Sequence, residues 1–383
     1  MTAFRTWLII AALVAAVYPL SVRAEEPADV RSSDGILRID LLPPGPGNPR
    51  NSEGDFIRLA DGRVLFVYTH FTGGAADDAA AHLAARSSSD GGRTWADENT
   101  IVVPNDGGRN VMSVSLVRLD DGRIALFYLR KDSAAACHPL MRTSSDEGKT
   151  WGDPSAIVAD ADAGYYVLNN DRVVQLADGR LVAPLAQHVG PGMPKWAAAA
   201  RLLCYVSDDA GRTWKRGSAA PVARREGRPV VTQEPGVVEL SDGRLMMYCR
   251  TDAGSQFAAF SSDRGETWTE PSATELRSPL SPATIERLPG TDSLLAVWND
   301  HRDAAPELRG LRTPLRLALS DDDGRSWKDI ATLEEDRHGW YCYTAVEFVG
   351  ENVLFAYCAG DRRENNGLAA TRITLFPLDR LRP

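Results

Sequence analysis

The sequence predicts an all-β fold, a six-bladed β-propeller of four-stranded antiparallel blades. Two repeated elements and an ordinary globular composition lead there. The first element is Ser-x-Asp-x-Gly-x-Thr/Ser-Trp, found at 88–95, 144–151, 207–214, 261–268 and 320–327, with starts 54 to 63 residues apart. The second is Leu-x-Asp-Gly-Arg at 59–63, 119–123, 176–180 and 240–244, each followed by an apolar run such as VLFVY or LMMYC. Repetition at such a period marks a stack or ring of supersecondary units. The 383 residues are 43% hydrophobic and 25% charged, with 32 Gly and 23 Pro, which excludes disordered, collagenous and coiled-coil classes.

Taken in chain order, residues 1–24 read as a signal peptide. Arg5 supplies the positive start, WLIIAALVAAVYPL (7–20) the apolar stretch, and Val22-Arg23-Ala24 a small-residue cleavage site. The stretch is short of the about 20 apolar residues a spanning helix needs. The expectation is an exported chain, secreted or periplasmic, with no membrane attachment after cleavage and a single propeller domain over 25–383. GILRIDLL (35–42) and ATRITLFPL (370–378) are leftover strands expected to share one blade and close the ring.

Each repeat then reads as strand, Asp-Gly turn, strand, long connection, strand, box turn, strand. Asp-Gly between two β-rich apolar runs is a tight hairpin, because Gly accepts the positive φ such turns require. In the box, Asp accepts backbone N–H bonds across the turn and Trp packs into the blade. These motifs shape turns and do no chemistry. The fifth unit is degenerate, LPGTDSLLAVW (288–298), and a sixth strand pair, YTAVEFVGENVLFAY (343–357), has no box after it.

Net charge is −9 and no Lys/Arg-rich run occurs, which argues against a nucleic-acid partner. The five cysteines (137, 204, 249, 342, 358) show no CxxC spacing and read as buried free thiols, although Cys342 and Cys358 face each other across a hairpin that would allow a disulfide. The six histidines show no HxH or HExxH pattern, so no metal is implied. The chain is expected to be a monomer.

Hairpin geometry puts the Asp-Gly turns and the boxes at one end of the ring. The opposite rim collects residues before each first strand and after each second one: Arg50, Glu53 and Asp55; Asn169 to Arg172; Gln233 and Glu234; Tyr341 and Tyr343; His188; and Arg250. Glu234 and Arg250 stand out because one hairpin brings them side by side. Trp196, in the third-blade insertion VGPGMPKWAAAA (189–200), either stacks on a sugar ring or covers a blade edge.

Over roughly 35–380 the sequence resembles the sialidase (neuraminidase) superfamily, specifically bacterial exo-sialidases with Asp-box repeats. QEPGVVELSDGRLMMYCR (233–250) resembles the segment that opens on a catalytic Glu and closes on an Arg, which implies Glu234 as carboxylate partner of the nucleophile and Arg250 in a carboxylate-binding arginine triad. RTPLRLALSDDDGRSW (312–327) is similar to the stretch bearing a second triad arginine, Arg312. WYCYTAVEF (340–348) resembles the segment of the nucleophilic tyrosine, which implies Tyr343, with Tyr341 as rival. In TGGAADDAAAHLAARSSSDGG (72–92) the family's acid falls on Asp78, with Asp77 as alternative. The family's Arg-Ile-Pro strand start is absent from NPRNSEGDFIRLADG (48–62); Arg50 is the nearest arginine, with Glu53 and Asp55 beside it.

The resemblance implies an exo-α-sialidase that removes terminal sialic acids from glycoconjugates. Tyr343 would attack with Glu234 as its base, Asp78 would serve as acid and base, and Arg50, Arg250 and Arg312 would grip the substrate carboxylate, with Glu53, Asp55 and Tyr341 as further binding residues. No cofactor is implied. Two other readings stay open: a propeller glycosidase or lyase acting on another small acidic or neutral sugar through Glu53, Asp55 and Glu234, and a non-catalytic glycan-binding propeller.

Overall fold

A computed structural model describes residues 30–31 and 35–381. The signal-peptide expectation, on residues 1–24, lies outside them. The chain is mostly β and is built from four-stranded antiparallel sheets, such as Arg50–Arg58, Val64–Phe71, Ala81–Ser88 and Thr100–Val103. Two further sheets follow the same plan over 232–277 and 284–334. A nine-stranded sheet over 110–216 holds two more units, joined through one parallel bridge between Tyr165 and Cys137. Among the described residues no helix is long and apolar enough to cross a membrane.

The first and last strands described share one sheet. Leu37–Leu42 pairs antiparallel with Thr371–Pro377, which continues into Asn352–Asp361 and Gly339–Val349. The first strands of neighbouring sheets pack side by side: Arg50–Arg58 lies against both Asn110–Arg118 and Gly339–Val349, and Thr284–Arg287 against both Thr232–Glu239 and Gly339–Val349. Between sheets the side chains fill in as apolar clusters, for example Phe56, Phe66 and Tyr68 with Leu354 and Leu375.

The repeated motifs behave as turn chemistry. In the first box Asp90 Oδ1 accepts from Thr94 N at 2.9 Å and from the Ser88 hydroxyl at 2.8 Å, while Ser88 Oγ accepts from Gly92 N at 2.8 Å. Asp146, Asp209, Asp263 and Asp322 repeat this pattern. Trp95, Trp151, Trp214 and Trp327 rest against the apolar clusters, and Trp268 is buried within one. All five cysteines are buried free thiols.

One irregularity recurs on the first strands and positions the functional groups. At Glu53–Gly54, Ser113–Val114, Glu234–Pro235 and Tyr343–Thr344 two residues oppose one on the partner strand, which is a β-bulge. Glu53, Ser113, Glu234 and Tyr343 adopt φ of 54°, 57°, 51° and 58°. Non-glycine residues rarely hold this left-handed conformation, which costs about 1–3 kcal/mol each and is kept where the surroundings enforce it. All four bulge residues line one cavity.

Candidate active site

The cavity encloses about 170 Å³ and is walled by these four residues with Asp77, Lys131, Tyr165, His188, Trp196, Gln233 and Arg250. Tyr343 donates its hydroxyl to Glu234 Oε1 at 3.2 Å. Arg250 Nη1 lies 2.9 Å from Glu234 Oε2 and 3.5 Å from the Tyr343 hydroxyl. Its other nitrogens donate to Gln233 Oε1 at 3.1 and 2.6 Å, which fixes the guanidinium plane. Arg312 approaches Tyr343 from outside the cavity wall, its guanidinium carbon 5.3 Å from the Tyr343 ring centre and 5.2 Å from that of Trp340. Arg312 Nε and Nη1 are buried with no oxygen acceptor, the Cys342 thiol being their polar neighbour, which leaves the guanidinium charge to favour an incoming anion.

Burial raises the Tyr343 pKa above its ordinary value and the Glu234 charge raises it further, against the pull of Arg250 and Arg312. The phenol is therefore neutral at rest, with a carboxylate at its proton.

Not every expected residue sits here. Tyr341 points into the core, edge-on to Tyr357 at 6.3 Å, and does not line the cavity; regular alternation would put it on one face with Tyr343, and the bulge at Tyr343 turns that side chain to the cavity instead. Asp55 is a buried structural tie whose Oδ1 accepts from Phe56 N at 2.6 Å and whose Oδ2 accepts from Leu116 N at 2.7 Å. Asp78 pairs outward with Arg109 at 2.7 Å and lies outside the cavity lining. Its neighbour Asp77 lines the cavity, because Asn110 Nδ2 and Lys131 Nζ hold the Asp77 carbonyl at 2.9 and 2.7 Å and turn the side chain inward.

Arg50 also departs from expectation. It is 1% exposed, outside the cavity lining, and its donors are taken by Ser52 Oγ, Ala75 O, Asp77 Oδ1 at 2.6 Å and Glu53 Oε1 at 2.9 Å. It stands behind two acids rather than facing a ligand. The first-strand bulge instead presents Glu53, whose Oε2 accepts from Ser113 Oγ at 2.8 Å. Burial raises the Glu53 pKa, with Arg50 opposing and Asp77 reinforcing. Burial also pushes Asp77 upward, but Arg50, Lys131 and Arg250 more than reverse this, leaving it below the ordinary carboxylate range.

The third-blade insertion contributes an aromatic wall. Trp196, 52% exposed, stacks on His188 with ring centres 4.1 Å apart and planes 3° from parallel, and meets Tyr165 edge-on at 4.9 Å. Lys131, Ser113 and Tyr165 were not singled out from the sequence. Among the described residues no group of three or more His, Cys, Asp or Glu side chains is placed to hold a metal ion.

The family model described as a BNR repeat-like domain matches residues 71–355. The sialidase of Micromonospora viridifaciens is 26% identical over 341 residues, covering 81% of this chain and 50% of that protein, so the chain spans about half the length of the curated relative it matches. Among solved structures, a Hadza microbial sialidase aligns with TM-score 0.68 at 19% identity, covering 87% of this chain and 66% of its own. Trypanosoma rangeli sialidase in complex with 2,3-difluorosialic acid, described as a covalent intermediate, gives TM-score 0.69 at 16% identity, covering 91% and 60%. A Dyadobacter fermentans protein of unknown function gives 0.67 at 18% identity, covering 88% and 96%. At these identities the structural likenesses show the fold.

Proposed function

This chain belongs to the BNR repeat-like family of the sialidase superfamily, and from that premise we propose that it is a retaining exo-α-sialidase built on six blades closed into a ring. The six-blade count is supported by five boxes plus the boxless pair at 343–357, and by the packing of the first strands on one another. The observation that carries the enzymatic reading is the Tyr343–Glu234–Arg250 constellation, with hydroxyl to carboxylate at 3.2 Å and guanidinium to carboxylate at 2.9 Å.

A sialic acid bears a carboxylate on the carbon that carries the scissile bond. Arg250, which lines the cavity, holds that carboxylate by charge-assisted hydrogen bonds and so orients the anomeric carbon, while Arg312 against the Tyr343 ring adds positive charge. A carboxylate nucleophile would meet an anionic substrate with repulsion; a neutral phenol avoids it, which is why sialidases depart from the two-carboxylate scheme. Tyr343 Oη attacks the anomeric carbon as its proton passes to Glu234 Oε1. Asp77, in the role the resemblance assigns first to Asp78, protonates the departing glycosidic oxygen. In the free site Arg50 keeps Asp77 ionised; a bound sugar excludes water and adds negative charge, and both push the carboxyl up toward the donor range. Asp77 then takes a proton from water as the water oxygen attacks the anomeric carbon, the bond to Tyr343 Oη breaks while Glu234 returns its proton to that oxygen, and the sugar leaves with net retention.

A second reading is favoured by Glu53. The first-blade bulge offers a carboxylate where the family's pattern led one to expect an arginine, which suits a sugar presenting a hydroxyl or amine on that side. Hydrolysis of a fluorogenic α-sialoside by the purified protein tests the first reading, with Tyr343→Phe abolishing it. Turnover of a non-sialyl aryl glycoside, without turnover of the sialoside, would establish the second.

A further inference from the structure

On the rim of the sheet over 232–277 lies a second concavity of about 550 Å³, lined by Arg224, Arg225 and Arg277 above Phe257 and Pro271, with Glu270 as its one acid. Arg224 and Arg225 sit on the short hairpin pairing Arg224–Arg225 with Arg228–Pro229. The hairpin is held in place by Arg225 Nη1 donating to Ala253 O at 3.2 Å and by Val230 N donating to Ala223 O at 2.9 Å. Arg277 ends the outer strand Ser272–Arg277 opposite Ser255, and its carbonyl is capped by His301 N and Trp298 Nε1.

Several arginines elsewhere on the surface are fully compensated. Arg180, Arg302 and Arg372 each hold two carboxylates. Among the described residues Arg224, Arg225 and Arg277 form no ion pair, Arg224 and Arg225 donating only to the Gly227 and Ala253 carbonyls, although acids outnumber bases in the chain, 52 to 43. Three guanidiniums against the single carboxylate of Glu270 leave the concavity with an excess of positive charge on an acidic background. The cleft and the catalytic cavity share no lining residue but are reached by one stretch of chain. Ala253, which lines the cleft, lies three residues beyond Arg250, about 10 Å along the chain at the rise of an extended strand.

We propose that this cleft is a non-catalytic glycan subsite that binds carboxylate- or sulfate-bearing units of an oligosaccharide whose terminal sugar enters the Tyr343 cavity. The guanidiniums take the anionic groups in paired hydrogen bonds, and Phe257 and Pro271 give the sugar ring an apolar floor. A glycan fits better than an extended polyanion, because the cluster is only three arginines wide on a chain of net charge −9. The connection to the cavity rests on the glycosidase reading; binding in the cleft does not.

The test measures binding of a labelled galacturonate hexamer and of a sulfated hexasaccharide to the full chain at low and high salt, beside a neutral hexasaccharide. The wild type is expected to bind at least one anionic probe, more weakly as salt rises, and the neutral one far less. Arg224→Ser/Arg277→Ser, which spares the anchoring Arg225, is expected to bind about 3- to 25-fold more weakly, the loss of two exposed charge pairs. The same variant should hydrolyse a small aryl sialoside at the wild-type rate. Equal binding by variant and wild type, no binding of either anionic probe, or tighter binding of an oligonucleotide would each overturn the proposal. Loss of hydrolysis in both proteins with binding intact would instead count against the sialidase reading alone.

Discussion

Substituting Glu347 by Gln should remove a pH dependence of stability built into the centre of the molecule. Glu347 lies on the same strand as Tyr343, and burial raises its pKa from 4.5 to about 7 against the pull of Arg58, with Asp171 reinforcing the rise. Asp171 is itself raised by burial, to about 6, with Arg172 and a hydrogen bond from Val346 N opposing. Asp55 and Glu286, which share this neighbourhood, are also displaced upward by burial and by Asp171. A carboxyl that binds its proton more tightly when folded contributes stability in full below about pH 4.5, and loses it as pH rises through its folded value. For Glu347 the displacement of about 2.5 units amounts to about 3 kcal/mol. Glutamine keeps the shape and cannot ionise. The wild type should therefore lose stability relative to Glu347→Gln between about pH 4.5 and 8, with the difference growing by about 3 kcal/mol. Urea unfolding of both proteins at several pH values reads it directly. A difference independent of pH would refute the reasoning, as would one that shrinks as pH rises.

Further outcomes follow from the same geometry. Asp77→Ala should lose turnover of natural sialosides by about 100-fold or more, yet retain much of its activity on aryl sialosides whose leaving groups need little protonation; Asp78→Ala should leave both near wild type. Asn170 Nδ2 donates to Gly54 O and Tyr343 O, both at 3.0 Å, in a fully buried position. Asn170→Ala leaves two buried carbonyls without that donor and should cost about 2–4 kcal/mol in chemical unfolding. It should also lower kcat, because it frees the bulge that aims Tyr343.

Much of the scaffold was legible because its signals are local. The Asp boxes and Asp-Gly turns satisfy their hydrogen bonds within a few residues, so Ser88, Asp90 and Thr94 carry their own instructions. The pairing of Tyr343 with Glu234 was legible through resemblance, as was the nearness of Arg250 and Arg312 to Tyr343. What sequence reasoning missed is the bulge. Glu53, Ser113 and Glu234 each lie eight positions before the aspartate of the Asp-Gly turn, and Tyr343 lies eight before Glu351 in the boxless pair. Counting back from the turn selects Glu53 over Arg50 and Asp55, and Tyr343 over Tyr341. The orientation of Asp77 against Asp78 was not legible, because it is fixed from other strands by Asn110 and Lys131. The third unit hid its geometry for a similar reason. Its first strand breaks into Tyr165–Val167 and Val174–Gln175 around Asn169 to Arg172, whose bonds run to Ser115, Gly54, Ala283 and the Tyr343 carbonyl rather than to near neighbours.

The central claim is that the Tyr343 oxygen forms the bond to the sugar. Incubation with a 2,3-difluorosialic acid, which slows release of a glycosyl-enzyme, followed by peptide mapping by mass spectrometry, tests this most directly. The account predicts one adduct, on Tyr343, that is absent from Tyr343→Phe. An adduct on Glu53 or Glu234, or none on a protein that hydrolyses sialosides, would contradict it.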